Sequence, residues 1–573
     1  MTKITGGDIV VRALEDEGIP FTFGIPGTHN IELYDSLGRA ESVRPILVTD
    51  EQSASFMADG VSRSSGQLGA VNVVPGAGLT HALSGIAEAF LDGIPMLVLA
   101  CGIRTDSGKA FQLHDVDQMA IARPVTKAQF RAGHGSEIYA LIRRACRLAR
   151  TAPAGPVFVE IPVNLYLFRH DVALNAPSDV SPAPQPPEPQ ALERVRALLA
   201  SSRRPLLYLG LGTAGAGDDL VALAERLEAP VATTIQGKGV FPENHPLWLW
   251  CGFGAAAPSF VRKIAADCDL TLAIGCRFSE VGTGSYGLEP PGPLVHVDID
   301  PSVLGKNFPA ASPVVADAAA FVSALLTDLP QKNASSELRQ DIRAGHAEVW
   351  SDWSSQAGGE RVSPPHLLKT LQTVLGPDAI YTTDSGNGTF LAVECLRLDR
   401  SRSFLAPVDY SCMGYAVPGA LGAALACPER PVAALAGDGA FLMTGLELLT
   451  ASHLGLPVMV LVLRDRELAQ IAQFQETALA QKTCSELHEF DLSALARACG
   501  VDFLPLPRDA DVESVLRQAR AITAAGRPVV VEVEIDYSRK TYFTRGVVRT
   551  NLGRLPWADR LRFVARALGR RLR

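Results

Sequence analysis

Two aspartates stand where apolar segments end, at positions suited to holding a metal ion. Asp438 lies between two glycines after the apolar run VAALA, and Asp465 follows the next such run, VMVLVL, after one arginine. Because neighbouring parallel strands end at one edge of a sheet, we expect both side chains to face one ligand. Magnesium prefers oxygen ligands and commonly takes one or two carboxylates plus substrate phosphates. Amides at a helix N-terminus also favour phosphate, so the sequence predicts a site for a magnesium-bound phosphate.

The elements that must position these residues alternate between short apolar runs and longer amphipathic stretches. The apolar runs have the length of strands, and they include LGAVNVV, PMLVLAC, PLLYLGLG, LTLAIG, VMVLVL and PVVVEVEI. Such runs, separated by helical patterns, are typical of parallel sheets covered by helices on both faces. The sequence therefore predicts an α/β protein of three consecutive doubly wound parallel-sheet domains, with one large sheet as the alternative.

Two segments divide the chain. Residues 176–190 are rich in proline and extended by composition, and residues 331–362 are polar, partly helical in pattern and followed by two prolines. The predicted order is a first domain over 1–175, a linker over 176–190, a central domain over 191–330, a second linker over 331–362, a third domain over 363–545 and a basic tail over 546–573.

Composition excludes several classes of protein. The 573 residues are 47% hydrophobic and carry a formal charge of −8, which argues against a nucleic-acid-binding protein. Ten cysteines without a C-x-x-C pair favour reduced thiols over a zinc site or disulfides. The N-terminal stretch contains acids, and no run approaches about 18 apolar residues. We therefore expect a cytoplasmic protein without a signal peptide or transmembrane helix.

The basic tail has an amphipathic pattern. Leu561, Phe563, Val564 and Leu568 follow a helical spacing among many arginines. We expect a helix packed on its own protein or on a second copy, with a solvated arginine face. A helix lying on a membrane surface is the alternative.

The segments around the two aspartates resemble thiamine-diphosphate enzymes, and in particular the acetolactate synthase-like group (large catalytic subunit type). That family carries G-D-G and, further along, two asparagines of which the second is a metal ligand. The resemblance covers almost the whole chain. In the family's pyrimidine-binding domain it is carried by FGIPGTHNIELYDSL, VTDEQSASFMADGVSRSSG and PGAGLTHALSGIAEAFLDGIPMLVL. In its central and diphosphate-binding domains it is carried by VATTIQGKGVFPENHP, LAIGCRFSEVGTGSYG, LVHVDIDPSVLGKN and DYSCMGYAVPGALGAALACPERPVAALAGDG.

The resemblance implies that Glu51 is the catalytic residue. In the family, a glutamate near the end of a strand in the pyrimidine-binding domain activates the cofactor, and VTDEQSA places Glu51 there. A carboxyl hydrogen-bonded to the aminopyrimidine ring nitrogen promotes the imino form, which removes the proton from thiazolium C2. The structural alternative is a surface glutamate whose negative charge favours the start of a helix.

The resemblance also implies a set of residues that bind thiamine diphosphate and magnesium. Met413 matches the apolar residue that wedges between the two cofactor rings, and Gly414 would offer its carbonyl to the exocyclic amine. Close synthases carry glutamine-histidine where Asn387 and Gly388 stand. The implied metal ligands are Asp438, Asp465 in place of the family's asparagine, and the backbone carbonyl of Glu467. The implied cofactor-binding residues are Pro26, Gly27, Gly386, Asn387, Gly388, Met413, Gly414, Gly437, Asp438, Gly439, Ala440, Asp465, Leu468 and Ala469.

The substrate positions depart furthest from the synthase pattern. His81 stands where synthases have asparagine, and Phe474 stands where they have a tryptophan that selects the second keto acid. Histidines can move protons near neutral pH, so this cavity also suits chemistry other than synthase-type carboligation. The substrate candidates are Thr28, His29, His81, Phe111, Gln112, His114, Gln470 and Phe474.

In synthases the central domain holds an FAD that takes no part in net redox. The stretch RFSEVGTG departs from the usual synthase sequence, so FAD, another nucleotide and an empty domain all stay open. The residues that fit the general FAD pattern are Gly210, Gly237, Lys238, Gly239, Arg277, Asp298 and Asp317.

Three functions follow from these observations. The first is a thiamine-diphosphate and magnesium-dependent enzyme on 2-keto acids or 2-hydroxy ketones, with acetolactate synthase-like carboligation. The second is another reaction on the same cofactor: a decarboxylase, a 2-hydroxyacyl-CoA lyase or a diketone hydrolase. The third is a non-catalytic scaffold, against which the intact Glu51 argues. The resemblance further implies a homodimer or homotetramer whose active site lies between two chains, with a small keto acid or acyl substrate and no nucleic acid.

Overall fold

A computed structural model describes residues 2–174, 185–355 and 359–571. Three six-stranded sheets follow one another along these residues, and every pair of neighbouring strands within them is parallel. The predicted fold class is therefore confirmed, and the alternative of one large sheet is wrong.

The N-terminal domain is built on a sheet with the order β3-β2-β4-β5-β7-β6. Its strands are β2 (Phe21–Gly24), β3 (Arg44–Leu47), β4 (Gly69–Val73), β5 (Met96–Gly102), β6 (Ala128–Arg131) and β7 (Pro156–Pro162), and a separate antiparallel pair joins β1 (Thr2–Thr5) to β8 (Arg169–Val172). Its helices are α1 (Gly6–Asp16), α2 (Ile31–Leu37), α3 (Glu51–Ser65), α4 (Ala77–Asp92), α5 (Gln118–Ala122), α6 (Ile138–Arg150) and α7 (Val163–Leu167).

The central domain has the sheet order β11-β10-β9-β12-β13-β14. Its strands are β9 (Pro205–Leu209), β10 (Val231–Thr233), β11 (Trp248–Cys251), β12 (Leu270–Ile274), β13 (Leu294–Asp298) and β14 (Ser312–Val315). Its helices are α8 (Pro189–Ser201), α9 (Gly217–Leu227), α10 (Ser259–Ala266), α11 (Ala318–Thr327) and α12 (Ser336–Ser354). The helix α12 occupies most of the second predicted linker and packs against α10.

The C-terminal domain has the sheet order β16-β15-β17-β18-β20-β19. Its strands are β15 (Ile380–Thr383), β16 (Phe404–Leu405), β17 (Val432–Gly437), β18 (Val458–Arg464), β19 (Asp502–Leu506) and β20 (Val529–Glu534). Its helices are α13 (Pro364–Leu375), α14 (Asn387–Cys395), α15 (Ala416–Ala426), α16 (Asp438–Thr444), α17 (Leu448–Leu454), α18 (Ala469–Leu479), α19 (Leu492–Ala498) and α20 (Val512–Ala524), followed by α21 (Tyr542–Arg554) and α22 (Trp557–Arg571). Short 3₁₀ turns lie at Arg123–Val125, Gly135–Glu137, Leu211–Thr213, Gly445–Glu447 and Asp509–Asp511.

Two sequence-based predictions fall on positions that the structure does not describe. Most of the proline-rich linker at 176–190 lies outside the described residues, which resume at 185. In the basic tail the backbone is helical, but the side chains of Leu561, Phe563, Val564 and Leu568 lie outside the described set. Among the described residues, no helix is both long enough and apolar enough to cross a bilayer.

The N-terminal and C-terminal domains share one hydrophobic core. Helix α3 packs on α15, and small residues let the two backbones approach closely. A Cβ on Gly422 would lie 2.1 Å from the Met57 carbonyl oxygen, and a Cβ on Gly60 would lie 2.4 Å from that of Gly419. Helix α3 begins at Glu51, so this packing holds the predicted catalytic residue against the domain that carries the two aspartates.

Candidate active site

The two aspartates lie at the ends of adjacent strands, as predicted. Strands β17 and β18 pair in parallel up to Gly437 and Leu463, so Asp438 and Asp465 follow them at the same edge of the sheet. Asp438 opens α16 and is 1% exposed. Its carboxylate accepts the backbone N–H of Gly439 at 2.9 Å and that of Arg466 at 2.8 Å. The second of these bonds ties the segment after β18 to the start of α16.

The electrostatics of this pair favour a cation. Burial raises the pKa of the Asp438 carboxyl. Burial, followed by the charge of Asp438, raises the pKa of Asp465 to about 7. A cation beside the two carboxyls would favour their charged forms and so oppose these shifts. Carboxylate oxygens are also the ligands that magnesium takes beside substrate phosphates, so the residues fit the implied metal.

The arginines on either side of Asp465 are paired elsewhere. Arg464 donates to the Glu489 carboxylate at 2.8 Å and is 3.2 Å from that of Glu532. Arg466 forms a bidentate pair with Glu534 at 2.7 and 2.8 Å. The guanidinium groups of both arginines therefore pair with glutamates on neighbouring segments and not with the Asp465 carboxyl.

The segment after Asp465 is shaped by a short bridge to residues 485–487. Leu468 N–H donates to the Ser485 carbonyl at 2.8 Å, and the Leu487 N–H donates to the Arg466 carbonyl at 2.8 Å. The side chain of Glu467 pairs with Lys482 at 2.5 Å, so its carboxylate is engaged away from the aspartates. Helix α18 then begins at Ala469 and carries the partly buried substrate candidates Gln470 and Phe474.

Glu51 lies at the first position of α3 and is 7% exposed. Asp50 caps the helix by accepting the Gln52 N–H at 2.7 Å. The ring nitrogen Nδ1 of His81 lies 3.4 Å from Asp50 and 3.5 Å from Glu51. The structure thus brings one predicted substrate residue directly to the predicted catalytic carboxyl. It adds Asp50, which the sequence analysis missed although its position before a helix is a standard capping signal.

The other two histidines form a pair of their own. The rings of His29 and His114 meet edge to face with centroids 5.3 Å apart. Burial, followed by the charge of His114, lowers the pKa of His29. The Thr28 hydroxyl lies 3.1 Å from His29 Nδ1, which fixes the ring further. A neutral imidazole next to a second imidazole can accept or donate a proton near neutral pH.

The remaining substrate and pyrimidine-side candidates lie in loops. Phe111 is fully exposed at φ 58°, and the Gln112 side chain donates to the Arg104 carbonyl at 3.0 Å. Pro26 precedes Gly27, whose N–H donates to the Asn30 side chain at 2.6 Å. The Phe111 ring is therefore not packed against any described residue of its own chain, and it faces solvent.

The segment before α15 carries Met413 and Gly414. Met413 is half-buried, and Gly414 has φ 90°, a conformation that favours glycine. The Thr444 hydroxyl donates to the Gly414 carbonyl at 2.8 Å, which still leaves that oxygen a second lone pair. Asp384, at the end of β15, accepts the Tyr415 N–H at 2.6 Å, and burial raises its pKa to about 7. Asp384 is a further positioning group that the sequence analysis did not identify.

The start of α14 offers a second place for phosphate. Gly386 precedes the helix at φ 137°, and Asn387 and Gly388 form its first turn. The buried Oδ1 of Asn387 has no hydrogen-bond partner among the residues that the structure describes. The diphosphate-binding candidates Gly437, Gly439 and Ala440 form the comparable turn at α16, where no described residue would crowd a Cβ at Gly437. Both turns combine backbone N–H groups with open space, which fits a diphosphate.

A cavity of about 760 Å³ lies mainly between the N-terminal and central domains, and Arg402, Phe404 and Ala406 of the C-terminal domain also line it. Asp298 and Asp317 line it at the ends of β13 and β14. Two basic residues of the predicted nucleotide pattern are already paired. Arg277 lies 2.9 Å from Asp409, and the buried ammonium of Lys238 lies 2.6 Å from Glu243. The three glycines of the pattern pack closely on the protein's own backbone: a Cβ on Gly210, Gly237 or Gly239 would lie 2.0, 2.8 or 2.5 Å from the carbonyl oxygen of Gly275, Leu209 or Arg400.

Comparison with known proteins identifies the class to which this fold and site belong. Models of the thiamine pyrophosphate enzyme family match the N-terminal TPP-binding domain over residues 4–121, the central domain over 192–325 and the C-terminal TPP-binding domain over 384–533. The chain is 31% identical to a probable acetolactate synthase large subunit of Methanocaldococcus jannaschii over 550 residues, which is 93% of this chain and 92% of that protein. It is 30% identical to the acetolactate synthase isozyme 3 large subunit of Escherichia coli over 557 residues, or 95% and 96% of the two chains.

A third relative has a different reaction. The chain is 34% identical over 482 residues to a probable 2-ketoarginine decarboxylase of Pseudomonas aeruginosa, which is 82% of this chain and 83% of that protein. The chain belongs to the thiamine pyrophosphate enzyme family, and it is a thiamine-diphosphate-dependent transferase or lyase.

Proposed function

We propose that this enzyme uses magnesium and thiamine diphosphate to make or break a carbon–carbon bond next to the carbonyl of a 2-keto acid. Acetolactate synthase-like carboligation is the reaction that we expect first, because two relatives with that name align over more than nine-tenths of the chain. The observation that carries the proposal is the pair of aspartates at the ends of β17 and β18, Asp438 buried and Asp465 partly buried, with helix N-termini beside them.

Each part of the site has a distinct role in this proposal. Asp438, Asp465 and the Glu467 carbonyl would hold the metal, and the turns at α14 and α16 would hold the diphosphate. When bound, thiamine diphosphate supplies the carbon nucleophile and the electron sink for the cleaved bond. Glu51 holds a proton at its carboxyl for the pyrimidine ring. Met413 and Gly414 orient that ring, and α18 closes one side of the substrate cavity with Phe474.

Decarboxylation without a second keto acid is the second candidate. The His29–His114 pair supports it, because an imidazole that reached the reacting carbon would give it a proton in competition with attack on a second carbonyl. The relative named as a probable 2-ketoarginine decarboxylase supports it as well. Proton delivery releases an aldehyde, whereas carboligation releases a hydroxy keto acid, so the product distinguishes the two reactions.

The cavity between the N-terminal and central domains is our candidate site for a nucleotide, with FAD as the first ligand to test. Its volume and the two aspartates at strand ends suit a ligand with ribose hydroxyls. The pairing of Arg277 with Asp409 leaves fewer free cations there for a diphosphate.

One experiment tests the function. The protein is purified with thiamine diphosphate and magnesium, its flavin absorbance is recorded, and products from a panel of 2-keto acids are identified. We expect Glu51→Gln to lose at least about 100-fold in kcat, the scale of general acid–base catalysis, while binding of the cofactor is retained. Glu337→Gln is the matched control, since Glu337 is an exposed acid in the first turn of α12.

The outcomes separate the three functions. A hydroxy keto acid product supports carboligation, and an aldehyde supports decarboxylation. A parent protein that binds the cofactor and converts no substrate would favour the scaffold. Activity of Glu51→Gln equal to that of the control would show that Glu51 is not the activating acid.

A further inference from the structure

The segment 408–415 carries Met413 and Gly414 and is held by two buried carboxylates. Glu88 accepts the Val408 N–H at 3.1 Å and the Cys412 N–H at 2.9 Å, one with each of its oxygens. At the far end, Asp384 accepts the Tyr415 N–H. A carboxylate that accepts two N–H groups four residues apart fixes the turn between them.

Glu88 belongs to the same helix that touches Glu51. Helix α4 begins beside the catalytic carboxyl, where a Cβ on Gly78 would lie 3.1 Å from the Glu51 Oε1. Glu88 lies further along α4 and is completely buried. One rigid helix therefore sets the position of both the activating carboxyl of its chain and the segment that carries Met413.

Neighbouring contacts hold the segment from the same side. The Cys412 thiol lies 3.4 Å from the Ser84 carbonyl, also on α4. Asp92, at the end of α4, accepts the Asp409 N–H at 3.1 Å and pairs with Arg63 at 2.7 Å. A buried carboxylate costs free energy unless hydrogen bonds offset the loss of water. Burial, followed by the charge of Asp92, raises the pKa of Glu88 to about 8, which shows that burying this carboxylate costs free energy. The hydrogen bonds from the N–H groups of Val408 and Cys412 offset part of that cost.

We propose that Glu88 is a positioning residue for the cofactor: by holding Val408 and Cys412, it sets where Met413 and Gly414 meet the aminopyrimidine ring. This inference rests on the proposed function, because it needs thiamine diphosphate to bind between the Met413 segment and the diphosphate turns. Glu88 acts through Met413 and does not touch the reacting atoms. Its loss should therefore impair activation of the cofactor more than binding of the diphosphate, which is held by α14 and α16.

The test measures the cofactor itself and does not need a known substrate. Full-length protein loaded with magnesium and thiamine diphosphate is placed in deuterated buffer, and exchange of the C2 proton is followed by acid quench and NMR. The affinity for thiamine diphosphate is measured on the same samples. Glu88→Gln keeps the shape and one acceptor but turns an NH₂ group toward the other N–H, and Glu88→Ala removes both acceptors.

We expect C2 exchange to slow by about 100-fold in Glu88→Ala, the scale of a misplaced catalytic group, and by less in Glu88→Gln. The dissociation constant of thiamine diphosphate should rise by less than about tenfold, or about 1.4 kcal/mol. The matched control is Glu228→Gln. Glu228 is a buried carboxyl in the central domain that accepts the Ser335 N–H at 3.0 Å and pairs with Arg339.

The results separate failure of this inference from failure of the proposed function. If the parent protein does not accelerate C2 exchange over free cofactor, the proposed function is wrong. If the parent does so and both folded Glu88 variants exchange at its rate, Glu88 does not position the cofactor. If the rate of C2 exchange and the affinity for thiamine diphosphate fell together in the Glu88 variants, and fell equally in Glu228→Gln, Glu88 would have only a structural role. Should Glu88→Ala not fold, Glu88→Gln alone decides between these results.

Discussion

In the proposed metal site, Asp465 stands where the family resemblance implies an asparagine. Aspartate and asparagine place a side-chain oxygen at the same reach, so either can bind magnesium. We expect Asp465→Asn to bind thiamine diphosphate at a magnesium concentration close to that of the parent. Asp465→Leu removes the oxygen and should raise the magnesium requirement by at least 10–100-fold, on the order of what lost support of a metal site costs. A magnesium titration of cofactor binding measures both.

The same titration shows whether the ligand assignment holds. Arg464 provides a control at the adjacent position, because its guanidinium pairs with Glu489 and Glu532. Arg464→Met should lower stability without changing the magnesium requirement of the folded protein. If Asp465→Leu needed no more magnesium than the parent, Asp465 would be a turn residue and not a ligand.

At the scale of elements, the crossing of α3 and α15 depends on glycine. Glycine to alanine inside a helix ordinarily stabilises a protein by about 0.5–1 kcal/mol. We expect the opposite sign at Gly422, because the added Cβ would lie 2.1 Å from the Met57 carbonyl oxygen. Forcing the helices apart should lower the free energy of unfolding by about 1–3 kcal/mol. Chemical denaturation followed by circular dichroism measures the change.

Gly553→Ala is the matched control for this prediction. Gly553 also lies within a helix, α21, and a Cβ added there would have no atom of the described residues within 4 Å, so the substitution should be neutral or stabilising. Equal effects of the two substitutions would mean that α3 and α15 do not approach as closely as described. Because α3 begins at Glu51, Gly422→Ala should also reduce kcat.

At the scale of the whole molecule, an apolar surface lies beside the proposed metal site, since α16 begins at Asp438. Four side chains of α16, α17 and the turn between them are about half exposed, namely Leu442 (47%), Met443 (54%), Leu446 (56%) and Leu449 (45%). Clustered exposed apolar residues mark interaction surfaces. We propose that a second copy of the chain covers them, in agreement with the dimer that the family resemblance implies. Leu446→Arg should yield an inactive monomer in sedimentation velocity, whereas Trp557→Arg, at a 74% exposed residue of the tail, should not.

A mixing experiment shows whether the two chains share each active site. Glu51→Gln and Asp438→Ala, which removes the proposed ligand oxygens, should each be inactive alone. If Glu51 and Asp438 come from different chains, a mixed dimer has one intact site, and an equal mixture should recover about a quarter of the parent activity. Mixtures as inactive as the single variants would place the whole site within one chain.

The sequence by itself determined the class of fold and the placement of the two aspartates at the ends of adjacent strands. Apolar runs such as VMVLVL have the length of buried strands, and their alternation with helical patterns favours parallel sheets. Asp438 and Asp465 follow such runs, so their places at strand ends were predictable from local pattern and confirmed by the register of β17 and β18. Family resemblance added the expected role of Glu51, and the structure places this residue at the start of α3.

Only the tertiary structure decided which distant residues meet. It placed His81 beside Glu51, paired His29 with His114, and brought Glu88 to the amides of Val408 and Cys412. It also turned Arg464 away from Asp465. Consecutive residues of a strand point to opposite faces, and their partners are set by neighbouring strands. Local periodicity states which face of an element is buried. Contacts between positions hundreds of residues apart, such as Glu88 and Cys412, depend on how whole domains pack, which no local pattern contains.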